Sequence, residues 1–453
     1  MIDHLTIQRI LQAADIVEVI SEFVPLRKTG NAYKGLCPFH DDRTPSLVVS
    51  PSRSMFKCFA CGESGSVIGF LMKHNGWEYL EAVRWLAAKY GIAIEEHRPQ
   101  TDKEAERMWR AVEWAARHFE TNLLLEAGRG GREYFLGRGF TEETIRTFRL
   151  GYALPDRSLF PRAAYDEYIS KQTLLDLGLA YKYDDAEYAY ARFSDRVMFP
   201  WMNAAGRVVA FGGRKLDAAT KGVEQRYVNS CESSIFTKSK ELYGIFQAKH
   251  AIRMAQHAYV VEGYTDVISL HQAGVKNVVA CCGTALSAAH ARLLKRFCSE
   301  VTLVFDGDAA GLKASARNIR PLLAEGVSVK VIVLPDGEDP DTLARSRSYD
   351  ILKAFLETVA LDFMDFYSSY IIDKEADIPT RAAAISALLQ TIAVIPDEVT
   401  KSLYLAECER RFCLTREASP QVLGYDAFDT RVLRLEAEVE MLKREIAEWA
   451  QRK

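Results

Sequence analysis

Residues 301–311 read VTLVFDGDAAG, an apolar and β-branched run that stops at two acids separated by a glycine. The run has the composition of a buried strand, and the stretch from Ala309 onward (AAGLKASARNIRPLLA) has that of a helix, so Asp306 and Asp308 sit in a strand-to-helix turn. Neighbouring stretches repeat the unit. His257 to Val261 predicts a strand ending at Glu262, before a helix over 264–273. Asn277 to Cys281 predicts a second strand, and Ser328 to Leu334 a fourth that ends at the acidic turn Asp336-Gly337-Glu338-Asp339-Pro340-Asp341. Strands alternating with helices make a parallel α/β sheet, whose crossovers put the strand C-termini along one edge. Ligands of open α/β sheets bind beyond that edge. Glu262, Asp306, Asp308, Asp339 and Asp341 are expected to converge there, and hard divalent cations such as Mg²⁺, which also bridge to substrate phosphates, would neutralise them. Acids at strand ends also serve turns and helix caps. Five on one edge favour the metal.

The 453 residues predict two to four domains with ample core. The formal net charge of −3 announces no nucleic acid, so any such surface must be local. Residues 192–250 supply one, with ten Lys/Arg against five Asp/Glu. No apolar run reaches membrane-spanning length, and the N-terminus (MIDHLTIQRI) lacks the plan of a signal peptide, which predicts a cytoplasmic protein with no membrane partner. Nine cysteines in so long a chain do not make a disulfide framework.

Three of those cysteines have metal spacing. Cys37-Pro38-Phe39-His40 and Cys58-Phe59-Ala60-Cys61 form C-x2-H-x17-C-x2-C, two chelating knuckles suited to one tetrahedral, structural Zn²⁺ closed by four protein ligands. Around them, Lys34, Phe39, Arg43, Arg53, Phe56, Lys57 and Phe59 combine cations and rings. That mixture suits single-stranded nucleic acid, although the phenylalanines could equally be the small core a zinc ribbon needs. The periodicity predicts one amphipathic helix over 2–20 and another over 77–90, capped by Gly91. Glu95 to Arg107 is polar and reads as a linker. The zinc-binding domain is therefore placed at 1–97 and the linker at 98–107.

Residues 108–255 are expected to form a basic subdomain of mixed α+β texture. Its first helix, 108–127, would be broken at Gly128-Arg129-Gly130-Gly131, and Thr141 would cap a later one. Val197 to Trp201 and Val208 to Phe211 predict a hairpin across Asn203-Ala204-Ala205-Gly206, aiming Arg196 and Arg214 from the sheet ends. Gly212-Gly213-Arg214 and residues 225–230 (QRYVNS) bring cations and small residues together, as a groove that tracks phosphates requires. The parallel α/β subdomain spans 256–345, a helical subdomain 346–427, and a heptad helix 428–453. In that last helix Val432, Val439 and Ile446 alternate with Leu435, Leu442 and Trp449, and Glu438 and Lys443 fall at g and e. It would either pack on its own domain or support weak self-association.

With these pieces in place, the chain resembles the bacterial replicative DNA primases of the DnaG type. The resemblance is carried by CPFHDDRTPS (37–46), CFACGESG (58–65), RVMFP (196–200), FGGR (211–214), YVNS (227–230), LYG (242–244), VEGYTDV (261–267), DGDAAG (306–311) and LPDGEDPDTL (334–343), in the family's order across residues 1–420. It implies a zinc-binding domain, a catalytic core with a Toprim fold, and synthesis of short RNA primers from NTPs on a single-stranded DNA template. Carried over by position, Cys37, His40, Cys58 and Cys61 would hold zinc. Glu262, Asp306 and Asp308 would hold two or more catalytic Mg²⁺ or Mn²⁺ ions, with Asp339 and Asp341 supporting a further metal or nucleotide phosphates. Arg138, Arg196, Arg214, Arg226, Tyr227, Asn229 and Lys238 would line the template and nucleotide surface.

The chain departs from the family pattern at Arg226, where lysine is usual, at Cys231-Glu232-Ser233 after Asn229-Ser230, and at Asp42-Arg43, where Glu-Lys is usual. The family continues into a helical domain that docks on the replicative helicase, and this chain is expected to stop too early for it. A Toprim nuclease or topoisomerase shares the acidic edge, and a recombination mediator could use the same parts as a scaffold. A fused primase-helicase is disfavoured by the absence of G-x-x-x-x-G-K-(S/T).

Overall fold

The computed structural model describes residues 4–93, 100–182, 188–216, 226–335, 337–373 and 375–414. The chain divides into two compact units, one of Met1–Leu322 with Val327–Ala360 and one of Leu323–Gly326 with Leu361–Lys453.

The first unit begins with two helices, His4–Ala13 and Ile16–Ser21, where the periodicity predicts one. Asp15 causes the break: its carboxylate accepts hydrogen bonds from the N–H groups of Val17 and Glu18 and restarts the helix as an N-cap. The apolar stripe runs across this break, with Ile10, Ile16, Val19 and Ile20 all buried, so periodicity alone could not reveal it. A five-stranded antiparallel meander follows, from Arg27–Thr29 to Ser64–Gly65. Its core includes Phe39, Phe56 and Phe70, with ring centroids 5.4 to 5.7 Å apart. Phe59 differs. It is 71% exposed, with the Lys57 ammonium 5.4 Å from its ring centroid, so the expected rings divide between core and surface. Helices Val67–Asn75 and Tyr79–Lys89 close the module.

The helix Gln100–Leu124 begins inside the stretch read as a linker. Lys103, Glu104, Glu106 and Arg107 are exposed, so this turn shows no apolar stripe, yet it is built of good helix formers. Gly128-Arg129-Gly130-Gly131 also does not end helical structure: a short 3-10 turn over Glu126–Gly128 leads directly into the helix Arg129–Gly137. The basic sheet has the strand order Tyr227–Asn229, Val208–Lys215, Arg196–Met202, Gly151–Ala153, all antiparallel. The predicted hairpin is present, with Val208 opposite Met202 and Gly212 opposite Phe199. The Asn203 side chain accepts from the N–H groups of Ala205 and Arg207 and fixes its turn. Phe119 of the long helix covers this sheet, edge-on to Phe211 with centroids 5.3 Å apart.

Four parallel strands follow, adjacent in the order Val278–Ala280, His257–Val261, Glu300–Phe305, Ser328–Val333. Each pair is separated in sequence by helical chain, as the alternation requires. One hydrophobic core serves both sheets: Phe135, Phe199 and Trp201 belong to the same buried cluster as Tyr264, Val304 and Ile332. The helix Tyr349–Val359 also belongs to this unit.

The second unit is helical. Asp377 and Asp397 cap the helices Ile378–Ala393 and Glu398–Phe412 by accepting from the N–H groups of Thr380 and Thr400. Leu388, Leu389, Ile392 and Cys408 are buried with Phe363 and Phe366, while the Tyr404 hydroxyl donates to Asp362 at 2.8 Å. The expected heptad helix at 428–453 lies outside the described residues. No helix among the described residues is long and apolar enough to cross a membrane.

Candidate metal centre and active site

The zinc knuckles meet as their spacing requires. Cys37, His40, Cys58 and Cys61 each offer a ligand atom, all within 4.8 Å of one another. Cys37 Sγ lies 3.8 Å from Cys61 Sγ, the edge of a tetrahedron with bonds of ~2.3 Å to a central zinc. His40 presents Nδ1, 4.0 Å from Cys58 Sγ, while its Nε2 faces Asp42 at 3.8 Å. Asp42 in turn accepts from the Cys37 N–H at 2.7 Å and from the Ser46 hydroxyl at 2.5 Å, which ties both knuckles to one carboxylate. The Ser46 hydroxyl leads the interactions that hold the Asp42 carboxyl down to about 2. Burial raises the Cys58 thiol, but hydrogen bonds from the Cys61 N–H, the Ser46 hydroxyl and the Ala60 N–H outweigh it and bring the thiol down to about 6, the thiolate form a metal takes.

The acidic edge is built differently. Adjacent strands end at Val261 and Phe305, where the sheet order reverses, so Glu262 and Asp306 stand at the topological switch point. Burial and the charges of Asp306 and Asp308 push the Glu262 carboxyl above the usual carboxylate range; burial, Asp339 and Asp308 do the same to Asp306. Gly307 is required between the acids, because a Cβ there would lie 2.2 Å from the Leu334 carbonyl oxygen. Asp308 accepts from the Gly311 N–H at 2.7 Å, and Asp339 from the Thr342 N–H at 2.7 Å, so both cap helices while facing the same edge. Among the described residues, no set of three of these acids brings its oxygens as close together as the zinc ligands lie.

Asp341 is engaged differently from the other four. It is buried, with Arg138 donating to Oδ2 at 2.9 Å, the Ser269 hydroxyl donating to Oδ1, and Arg345 at 3.5 Å. A further acid escaped the sequence reading. Asp266, one helical turn beyond Glu262, accepts from the Gly263 N–H at 2.9 Å. Burial first, then the charges of Asp339, Asp341 and Asp306, push its carboxyl up to about 7. The signal was present as an i, i+4 spacing from Glu262, masked by its place inside an apolar helix.

The basic residues separate by position. The Tyr134 ring lies 4.5 Å from the Arg214 guanidinium and 5.6 Å from that of Arg138. Tyr227 is stacked on Tyr264 at 5.9 Å, and the charges of Arg214, Arg138, Asp266 and Arg226 all act on its hydroxyl, which burial raises. Arg138, Arg214, Arg226 and Tyr227 thus share one wall. Asn229 is a strut: it accepts from the Tyr264 hydroxyl at 2.5 Å and donates to the Cys282 carbonyl at 3.3 Å. Lys238 donates to the Gly283 carbonyl at 3.3 Å. The expectation that Arg196 and Arg214 project from sheet ends is corrected. Arg214 is 2% exposed, and Arg196 is buried with its guanidinium donating to the carbonyls of Gly213 and Arg226, because the sheet is covered on both faces at this register.

Four family models match in order along the chain: the CHC2 zinc finger over residues 2–102, the N-terminal domain of the DNA primase catalytic core over 118–249, a Toprim-like domain over 259–344, and the DnaB-helicase binding domain of primase over 376–417. The DNA primase of Halalkalibacterium halodurans is 36% identical over 92% of this chain and 70% of its own length. The chain belongs to the DnaG-type DNA primase family. The solved zinc-binding and RNA polymerase domains of the Aquifex aeolicus primase superpose with a TM-score of 0.62 at 30% identity, covering 92% of this chain and 98% of that one. A DnaG primase catalytic domain bound to single-stranded DNA gives 0.61 at 30% identity, covering 68% and 99%.

For a primase of this family, the expectation that the helicase-docking domain is missing is overturned. Residues 376–417 match it, and they fall on the helices Ile378–Ala393 and Glu398–Phe412, within the stretch 346–427 expected to be a helical subdomain. Helical periodicity identifies such helices without saying what they bind. Structural zinc follows from the zinc finger match and the preformed ligand set, and a divalent cation from the Toprim domain.

Proposed function

We infer that the chain synthesises short RNA primers on single-stranded DNA by joining ribonucleotides at the acidic edge. The observation that carries this reading is the apposition of that edge to the Arg138/Tyr227 wall: Arg138 donates to Asp341 at 2.9 Å, Arg138 and Arg214 both face the Tyr134 ring, and Tyr227 stacks on Tyr264, two residues after Glu262. The reading is supported by the single-stranded DNA bound to the related catalytic domain. The 3′-hydroxyl of one nucleotide attacks the α-phosphate of the next, and pyrophosphate leaves. Glu262, Asp306 and Asp308 would hold Mg²⁺ or Mn²⁺, two or more ions, with Asp339 beside them; the mutual repulsion of these carboxylates fits such a ligand. When bound, these cations lower the pKa of the attacking hydroxyl and stabilise charge on the leaving oxygen.

Arg226 and Tyr227 would receive the template and nucleotide phosphates, with Lys238 at the rim and Asn229 and the buried Arg214 and Arg196 bracing the wall from behind. Asp341, saturated by Arg138 and Ser269, positions Arg138 toward the same cleft. The zinc module would engage the template through Phe59 and Lys57. On helix Glu398–Phe412, Val399 and Leu403 are 70% and 68% exposed one turn apart, an apolar stripe suited to a replicative helicase. A primer-synthesis assay on single-stranded DNA, with and without Mg²⁺, tests the assignment with Asp306→Ala, expected to cut synthesis by about 10³ or more while DNA binding persists. Equal synthesis by the two proteins would overturn it. Cytoplasmic residence accords with replication as the task.

A further inference from the structure

A cleft of about 830 Å³ lies where the zinc module meets the parallel sheet, lined by Trp77 and Tyr79 of the module and by Arg253, Lys295, Arg296 and Phe297 from the sheet side. It is remote from the acidic edge. Ser299 at its rim precedes the strand Glu300–Phe305, whose other end carries Asp306, so at ~3.3 Å per residue the two sites are roughly 20 Å apart. Gly76, with φ +70°, permits this close approach, since a Cβ there would lie 2.3 Å from the Phe297 ring.

Two of the cations gather on one ring of the cleft. The Arg253 and Arg296 guanidinium carbons lie 5.5 and 6.0 Å from the centroid of the same Phe297 ring. Burial and the neighbouring Arg296 charge push Arg253 down to about 10. Arg296 serves the joint itself, donating to the Gly76 carbonyl at 2.8 Å, and lies 3.8 Å from the exposed Glu78. Glu63, the other carboxylate at the rim, is paired with Lys73. Arg253 Nη1, by contrast, is buried without a hydrogen-bond partner. A buried guanidinium N–H is an unmet demand for a strong acceptor, and phosphate oxygens are the acceptors that match its geometry. Trp77 is half-buried and Tyr79 is 44% exposed, which gives the same cleft apolar rings on which a base can lie. The volume falls within the ~300–1,000 Å³ range of small-ligand pockets.

We propose that this cleft binds a nucleoside polyphosphate at a site separate from the acidic edge, with the phosphates on Arg253, Lys295 and Arg296 and the base against Trp77 and Tyr79. Because its two walls come from the zinc module and the catalytic body, an occupied cleft ties one to the other, and nucleotide supply sets how firmly the module is held.

The test uses the full chain carrying Asp306→Ala and Asp308→Ala, without added Mg²⁺, so that the acidic edge does not contribute. Titration with ATP by calorimetry is expected to show saturable binding that Arg253→Gln weakens roughly tenfold or more and Arg253→Lys largely restores. Tyr79→Ala, at an exposed position, is expected to weaken ATP while leaving inorganic triphosphate unchanged, a readout that does not depend on the fold surviving a change at Arg253. Absence of ATP binding, or binding indifferent to both Arg253→Gln and Tyr79→Ala, overturns the proposal. So does displacement of ATP from the Arg253-dependent site by a single-stranded oligonucleotide without a terminal phosphate, which would make the cleft a strand site.

Discussion

The zinc knuckles and the acidic edge are both places for metal, and they are built on opposite principles. At the knuckles four ligands lie within 4.8 Å of one another, and the nearby Asp42 is already engaged with His40, Cys37 and Ser46. At the edge, carboxylates arrive from separate strand ends, repel each other, and keep capping duties on the helices behind them. A closed set of soft ligands holds an ion as part of the fold. An open set of hard ligands leaves room for phosphate oxygens and water, and accepts a metal as part of the reaction.

If that contrast is right, withdrawing the two metals has different consequences. Removing zinc with a strong chelator is expected to unfold the N-terminal module, since structural zinc contributes on the order of 10 kcal/mol to such domains. Far-UV circular dichroism and zinc content would show it, and an intact module without zinc would break the comparison. Omitting Mg²⁺ should abolish synthesis and leave the fold intact, as Asp306→Ala is expected to do by another route.

A smaller effect concerns pH. Asp266 is raised from 3.8 to about 7, and Glu262 and Asp306 move in the same direction, so the folded state favours their protonated forms. The stability that Asp266 contributes is full below about pH 4 and lost as pH rises toward 7, on the order of a few kcal/mol. Thermal melting of the metal-free protein should therefore fall across that window, and Asp266→Asn should flatten the fall. A melting curve that rises with pH would contradict it. Arg138→Ala should lower stability by roughly 3 kcal/mol, because Asp341 stays buried with a partner gone; chemical denaturation reads this directly. Smallest in its effect on the isolated protein is Leu403→Asp, expected to change basal synthesis less than twofold while weakening stimulation by the replicative helicase.

The zinc set was legible because all four ligands lie within a short stretch and their spacing is the geometry. The acidic edge was legible through topology: alternation implied a parallel sheet, and the sheet implied convergence. What stayed hidden depended on partners far away in sequence. Asp341 and Asp339 look alike in the run DGEDPD, yet Arg138, two hundred residues earlier, separates their roles. Arg196 and Arg214 carry charge that composition reads as surface, and only the packed sheet shows it to be interior. Asp15 broke a helix by a local cap that an uninterrupted apolar stripe concealed, and the exposed helical turn at 103–107 imitated a linker because it shows no apolar stripe.

The shared core beneath the two sheets has a mechanical meaning. Trp201 Nε1 donates to the Tyr264 hydroxyl at 2.9 Å, that hydroxyl donates to Asn229, and the rings around them are buried in one cluster with Val304 and Ile332. The basic wall and the acidic edge are therefore two faces of a single casting, braced by one buried core. A template strand passing between the two would then move by its own sliding, because the groups that flank it are braced by one core.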